Sequence, residues 1–151
     1  MKSHVIGAGA LLIAFAFAYP TVRAAELNTA AVVYKLPDQI DWKDNGGNKQ
    51  AVLTGDPSKP GLYAVMVTWK AGNMSRPHFH PNDRFITVLS GTWWVGTGNK
   101  FDPNSTVPMP AGSFVTHFGK QVHYDGAKEG DAVLLIVGEG PATATRVDEA
   151  K

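Results

Sequence analysis

The sequence predicts a single all-β domain, a sandwich or barrel of short strands, following an export signal. Three observations carry this expectation. Turn signals built from Gly, Pro, Asn and Asp recur roughly every 8–12 residues past residue 25. The runs between them are rich in β-branched and aromatic residues, which fit a pleated, half-buried surface. No window of about a dozen residues in that region keeps a 3.6-residue apolar period, so no long helix is expected. A length of 151 residues suits one core.

Residues 1–24 read as a secretory signal peptide. Lys2 gives a positive start, Val5 to Tyr19 is an uncharged apolar run, and Pro20 ends it. Val22-Arg23-Ala24 places small residues where a signal peptidase cleaves, so the mature chain is expected to begin after Ala24. The run falls short of the ~20 apolar residues a membrane-spanning helix needs. Residues 25–151 then form the folded domain, with a periplasmic or extracellular location.

Within that domain, Ala31 to Leu36, Ile40 to Lys43 and Ala51 to Thr54 are short strand candidates. Leu62 to Lys70 is the strongest β run of the first half. Arg84 to Ser90 and Thr92 to Gly96 follow, separated by Gly91. Ser113 to Phe118, Val122 to Asp125 and Ala132 to Gly138 complete the set. Residues 71–77, 98–105 and 108–112 read as loops, and the polar tail from Ala142 as frayed or docked at the surface. Trp42, Trp69, Phe85 and Phe114 are expected to fill the core, and the consecutive Trp93 and Trp94 to face opposite sides.

Cleavage removes Lys2 and Arg23 from 14 basic residues, leaving 12 against 13 acidic ones, a net charge of −1. A near-neutral chain carries no electrostatic footprint for nucleic acid or anionic membrane. With no cysteine, disulfides, thiolate ligands and cysteine nucleophiles are excluded. No GxSxG elbow and no phosphate loop occur.

The informative residues are histidines. His4 leaves with the signal, and His78, His80, His117 and His123 cluster in one part of the mature chain. On extended backbone the His78-Phe79-His80 pair sends both imidazoles to one face, about 7 Å apart along the strand. Pro77 and Pro81 flank the pair and stiffen its backbone.

The spacing around them resembles the cupin superfamily. Gly72, five residues, His78-x-His80 and Gly91 follow its first motif, and Gly112 to His123 follows the glycine-to-histidine spacing of its second. Phe118 and Lys120 replace that family's proline and glycine. The resemblance spans Leu53 to Pro141, and GDPSKPG, TVLSGTWWVGTG and PAGSF look like a group of small bacterial cupins. It implies a jelly-roll barrel with one divalent metal held by His78, His80 and His123, and a homodimer paired through outer strands. The family's carboxylate ligand would stand at position 84, where this chain has Arg84. Arginine stays charged and cannot ligate a cation, so a three-imidazole site would keep a charge near +2. Thiol dioxygenases and a diketone-cleaving dioxygenase are cupins similar in lacking that carboxylate.

Asp83 is a candidate replacement ligand, and His117 a candidate fourth nitrogen if its strand turns it inward. Arg84 has two readings, an outer ion-paired residue or an inward group that binds an anionic substrate. Tyr124 is a candidate to orient a ligand. Three functions follow: a metal-dependent, dioxygenase-like enzyme on a small anionic or enolisable molecule; a non-catalytic metal- or ligand-binding module; or a metal-free relic. Within the enzyme class, isomerisation or hydrolysis of a sugar derivative is the alternative. Fe, Zn, Mn, Ni and Cu all suit imidazole ligands, with Fe(II) favoured for an oxygenase.

Overall fold

A computed structural model describes residues 25–147, so residues 1–24, expected to be a signal peptide, lie outside the described residues. The chain divides into two units, Met1–Val33 and Tyr34–Lys151. In the first, the described residues are exposed and make one turn, closed by hydrogen bonds from the Ala31 and Val32 amides to the Asn28 carbonyl. All the described strands belong to the second. Among the described residues no helix is long and apolar enough to cross a membrane.

The strands are β1 (Lys43–Asp44), β2 (Asn48–Thr54), β3 (Gly61–Trp69), β4 (His78–Phe79), β5 (Arg84–Ser90) and β6 (Thr92–Thr97). They continue with β7 (Val107–Pro110), β8 (Phe114–His117), β9 (His123–Gly126), β10 (Ala132–Gly140) and β11 (Thr145–Arg146). One sheet has the order β1-β2-β3-β10-β5-β8 and the other β11-β4-β9-β6-β7, antiparallel throughout. The expected all-β, jelly-roll class is the one observed.

Strand alternation builds the core. On β3, Tyr63, Val65 and Val67 are buried while Leu62 is exposed. Ile86 and Val88 of β5 and Leu134 and Ile136 of β10 meet them, and Trp93 of β6 closes the layer. Removing each aliphatic side chain from water contributes about 1.5–3 kcal/mol. Trp93 is inside, whereas Trp94 is only half-buried and carries Lys128 Nζ 3.8 Å above its ring.

Several expectations change. Ala31 to Leu36 forms no strand, because no described strand pairs with it and its backbone bonds close local turns instead. Residues 108–112 are not simply a loop: β7 runs through Pro108 and Pro110 as an edge strand on β6, where a missing amide costs no ladder bond. Of the two readings of the tail, its described part, to Val147, takes the docked one, with β11 pairing on β4. Phe85 and Phe114 are not core residues. Their parity points them outward, 46% and 65% exposed, where their rings stack at 6.5 Å on the outer face.

Two turns depend on positive φ. Gly91 joins β5 to β6 at φ +73°, and a Cβ there would lie 2.0 Å from the Asp131 carbonyl oxygen. Lys120, between β8 and β9, has φ +63° and is the one non-glycine residue with positive φ among those described. It stands where the resembled motif has glycine. The left-handed turn is therefore kept although the residue has changed.

Candidate metal centre

The imidazoles converge because two short strands, β4 and β9, pair where these residues stand. His78 on β4 pairs directly with His123 on β9, and His80 follows two positions after His78 with the same parity. Ring centroids lie 4.9 Å apart for His78–His80, 4.5 Å for His78–His123 and 5.4 Å for His80–His123. One donor atom from each of the three comes within 4.8 Å of the others.

Each ring is fixed by its other nitrogen. Nδ1 of His78 donates to the Arg76 carbonyl at 2.8 Å, that of His80 to the Thr143 carbonyl at 2.9 Å, and that of His123 to the Gln121 carbonyl at 3.1 Å. A carbonyl on Nδ1 assigns the proton there and leaves the Nε2 lone pair as the ligand, the arrangement found around protein-bound metals. His123 Nε2 is buried without any hydrogen-bond partner. Burial pulls His80 down to about 3 and His123 to about 4, so both rings are neutral at pH 7. Neutral, oriented and partly orphaned nitrogens fit a divalent cation. The histidine cluster can hold a metal ion.

Arg84 opens β5 and faces inward. One of its guanidinium N–H groups donates to His80 Nε2, while its Nε is buried without a partner. Burial works against its charge, opposed by the fields of Tyr63 and Asp125. Asp83 faces away, and its carboxylate accepts the Gly119 amide at 2.7 Å instead of approaching the histidines. Its candidacy as the replacement ligand ends there.

His117 is opposite Arg84 in the β5–β8 register and also faces inward. Its ring centroid is 3.8 Å from that of His123, and neither of its nitrogens has a partner. Burial, its principal cause, holds it down at about 2. Tyr124 lies on the other side of β9 from His123. Its hydroxyl donates to the Asp102 carbonyl at 3.0 Å and its ring packs on Phe101, so it braces the loop before β7.

Two residues escaped the sequence reading. Asp125 is buried, 6% exposed, with Oδ2 4.0 Å from His123 Nε2. Its burial pushes the carboxyl up, against the pull of His78 and Arg84. Its signal was parity: it stands two positions past His123 on one strand. Tyr63 shares an inward face with Val65 and Val67 and adjoins Arg84, and burial raises its phenol. A cavity of about 630 Å³ reaches His78, His80, Arg84, Tyr63 and Asp125, and its wall includes Arg76 and Arg146.

No family model and no curated protein matches this sequence. Solved structures do. KdgF from Halomonas sp. is 21% identical over 71% of this chain and 94% of its own, with a TM-score of 0.58. The polyketide cyclase RemF from Streptomyces resistomycificus is 12% identical over 80% and 88%, with a TM-score of 0.65. An RmlC-like cupin from Shewanella frigidimarina is 19% identical over 72% and 90%, with a TM-score of 0.56. Proteins of this shape thus include an enzyme. Two antiparallel sheets, together with the likeness in shape to these neighbours, give this chain the cupin fold.

Proposed function

We propose that the protein is an exported metal-dependent enzyme that acts on a small anionic or enolisable molecule by oxygenase-type chemistry. One observation carries the reading: carbonyl-fixed imidazoles gather beside an inward guanidinium at the position where the resembled motif has a carboxylate. A bound divalent ion supplies Lewis acidity and, as iron(II), redox chemistry with dioxygen. The chain's own residues supply the rest. Arg84, which forms no ion pair with a carboxylate among the described residues, binds the anionic group of a substrate, and the apolar wall of Val65, Leu134 and Ile136 limits water around it. The charge of Arg84 is tolerable at a cation's side only when an anion joins the two.

A non-catalytic binding module is the second reading. It is favoured by the Arg84–His80 contact, which satisfies one ligand nitrogen with no metal involved. The two separate by measurement. Protein isolated untagged from its export compartment is expected to contain about one equivalent of a transition metal and to consume oxygen with a small carboxylate or enol. Arg84→Met should retain the metal and lose carboxylate affinity by at least tenfold. Metal without turnover over a broad carboxylate panel favours the binding module, and neither metal nor anion affinity defeats both.

The apolar run Val5 to Tyr19 supports export. Phe85, Phe114, Leu62 and Leu89 are exposed on the outer face of the larger sheet, which supports a homodimer through that face. Light scattering that returns a monomer at micromolar concentration would remove the dimer from the proposal.

A further inference from the structure

The loss of the carboxylate at position 84 leaves the three-imidazole group with no negative charge of its own, and Arg84 already engages one of its nitrogens. A second group of donors adjoins it. His117, His123 and Asp125 each offer one ligand atom, all within 4.8 Å of one another, and all three residues are buried. The two groups share His123, whose ring nitrogen Nε2 can serve one ion at a time.

We infer that the cation is held by His117, His123 and Asp125, so that a carboxylate on β9 replaces the one missing from β5. This rests on the metal-dependent reading above and specifies its ligands. His117 is 6% exposed, yet both its nitrogens lack partners, as does Nε2 of His123. Three orphaned buried nitrogens beside a buried carboxylate are costly to leave unpaired, roughly 1–3 kcal/mol for each group. One divalent ion satisfies a nitrogen of each ring and the carboxylate together. The 4.0 Å between His123 Nε2 and Asp125 Oδ2 needs only a small closure. Adjacent donors around an ion about 2.0–2.2 Å away sit about 3–3.5 Å apart.

The donor set is two histidines and one carboxylate, a combination that leaves positions open and suits iron(II), with zinc and cobalt as ready substitutes. Its net charge is near +1, lower than the three-imidazole group would carry, which eases the company of Arg84. His78 and His80 then stand at the cavity side of the ion. They are placed to meet a substrate that the cavity admits.

The test uses cobalt(II), whose visible spectrum reports its ligands. Chelator-stripped protein is titrated with cobalt, and affinity and absorbance are read for the wild type, Asp125→Asn, His117→Gln and His80→Gln. Thermal unfolding confirms that each variant is folded. One equivalent should bind to the wild type. Asp125→Asn and His117→Gln should each weaken it more than tenfold and change the spectrum, while His80→Gln changes affinity less than threefold. Asp125→Glu, which keeps the charge, should retain cobalt with a shifted spectrum, and this guards against Asp125→Asn failing to fold. Unchanged binding by Asp125→Asn and His117→Gln, with loss in His80→Gln, overturns this assignment and leaves the metal reading intact. No cobalt bound by the wild type overturns both.

Discussion

His123 is the donor common to both groups, so His123→Ala should remove most of the metal-dependent stabilisation whichever group holds the ion. The size of the effect follows from the domain. An unfolding entropy of about 2.1 cal/mol/K per residue, over about 120 ordered residues, gives roughly 0.25 kcal/mol per degree near Tm. An ion at about 100 times its Kd adds about 2.7 kcal/mol to the native state, which is about 10 °C in Tm. Structural zinc sites bind with about 10–16 kcal/mol, so one of four ligands accounts for about 3 kcal/mol, roughly a hundredfold in Kd. At the same ion concentration the variant should therefore gain only about 0.4 kcal/mol, under about 2 °C. Differential scanning calorimetry of stripped protein, with and without cobalt or zinc, reads this directly. The comparison is the metal-induced shift within each protein, so a general destabilisation by the lost ring cancels. A variant that still gains about 10 °C would refute the reasoning, since it would place the ion elsewhere.

Three further outcomes follow. Folded-state values of about 3 for His80, about 2 for His117 and about 4 for His123 lie below their ordinary 6.5, so below pH 6.5 the unfolded chain takes up protons that the native state refuses. Stability of the stripped protein should be full above pH 6.5 and fall as the pH drops toward 4 and below; a urea midpoint at pH 5 equal to or above that at pH 7.5 contradicts this. Lys120→Gly should raise stability by about 0.5–1 kcal/mol, because glycine takes φ +63° without the cost a side chain incurs, and a lower denaturation midpoint would show that the turn carries no such cost. Tyr124→Phe should cost about 1 kcal/mol through the hydrogen bond to the Asp102 carbonyl while metal uptake stays unchanged; altered metal affinity would return Tyr124 to the site.

How far the sequence carried differs by feature. Long strands were legible because β-branched runs and glycine turns are local signals, as in β3, β5 and β10. β4, β7 and β11 were hidden: two have only two residues, and β7 contains two prolines, so only their partners make them strands. Position 84 announced a departure, but its direction needed the fold, because either parity was open until β5 was set between β10 and β8. Asp125 went unremarked since the resembled motif ends at His123. Phe85 and Phe114 misled because an aromatic ring in a strand reads the same whether its sheet face is covered or bare.

The loop from Phe118 to Val122 is stitched to the segment that holds His80. The Lys120 amide donates to the His80 carbonyl at 2.7 Å, and the Gly119 amide to the Asp83 carboxylate at the same distance. His123 begins immediately after this loop, so it and His80 share one rigid frame although separate segments carry them. Such a frame sets the aperture before any ion arrives, and an aperture that resists stretching sorts cations by radius as well as by chemistry. Loosening either stitch would widen the range of ions accepted before it emptied the pocket.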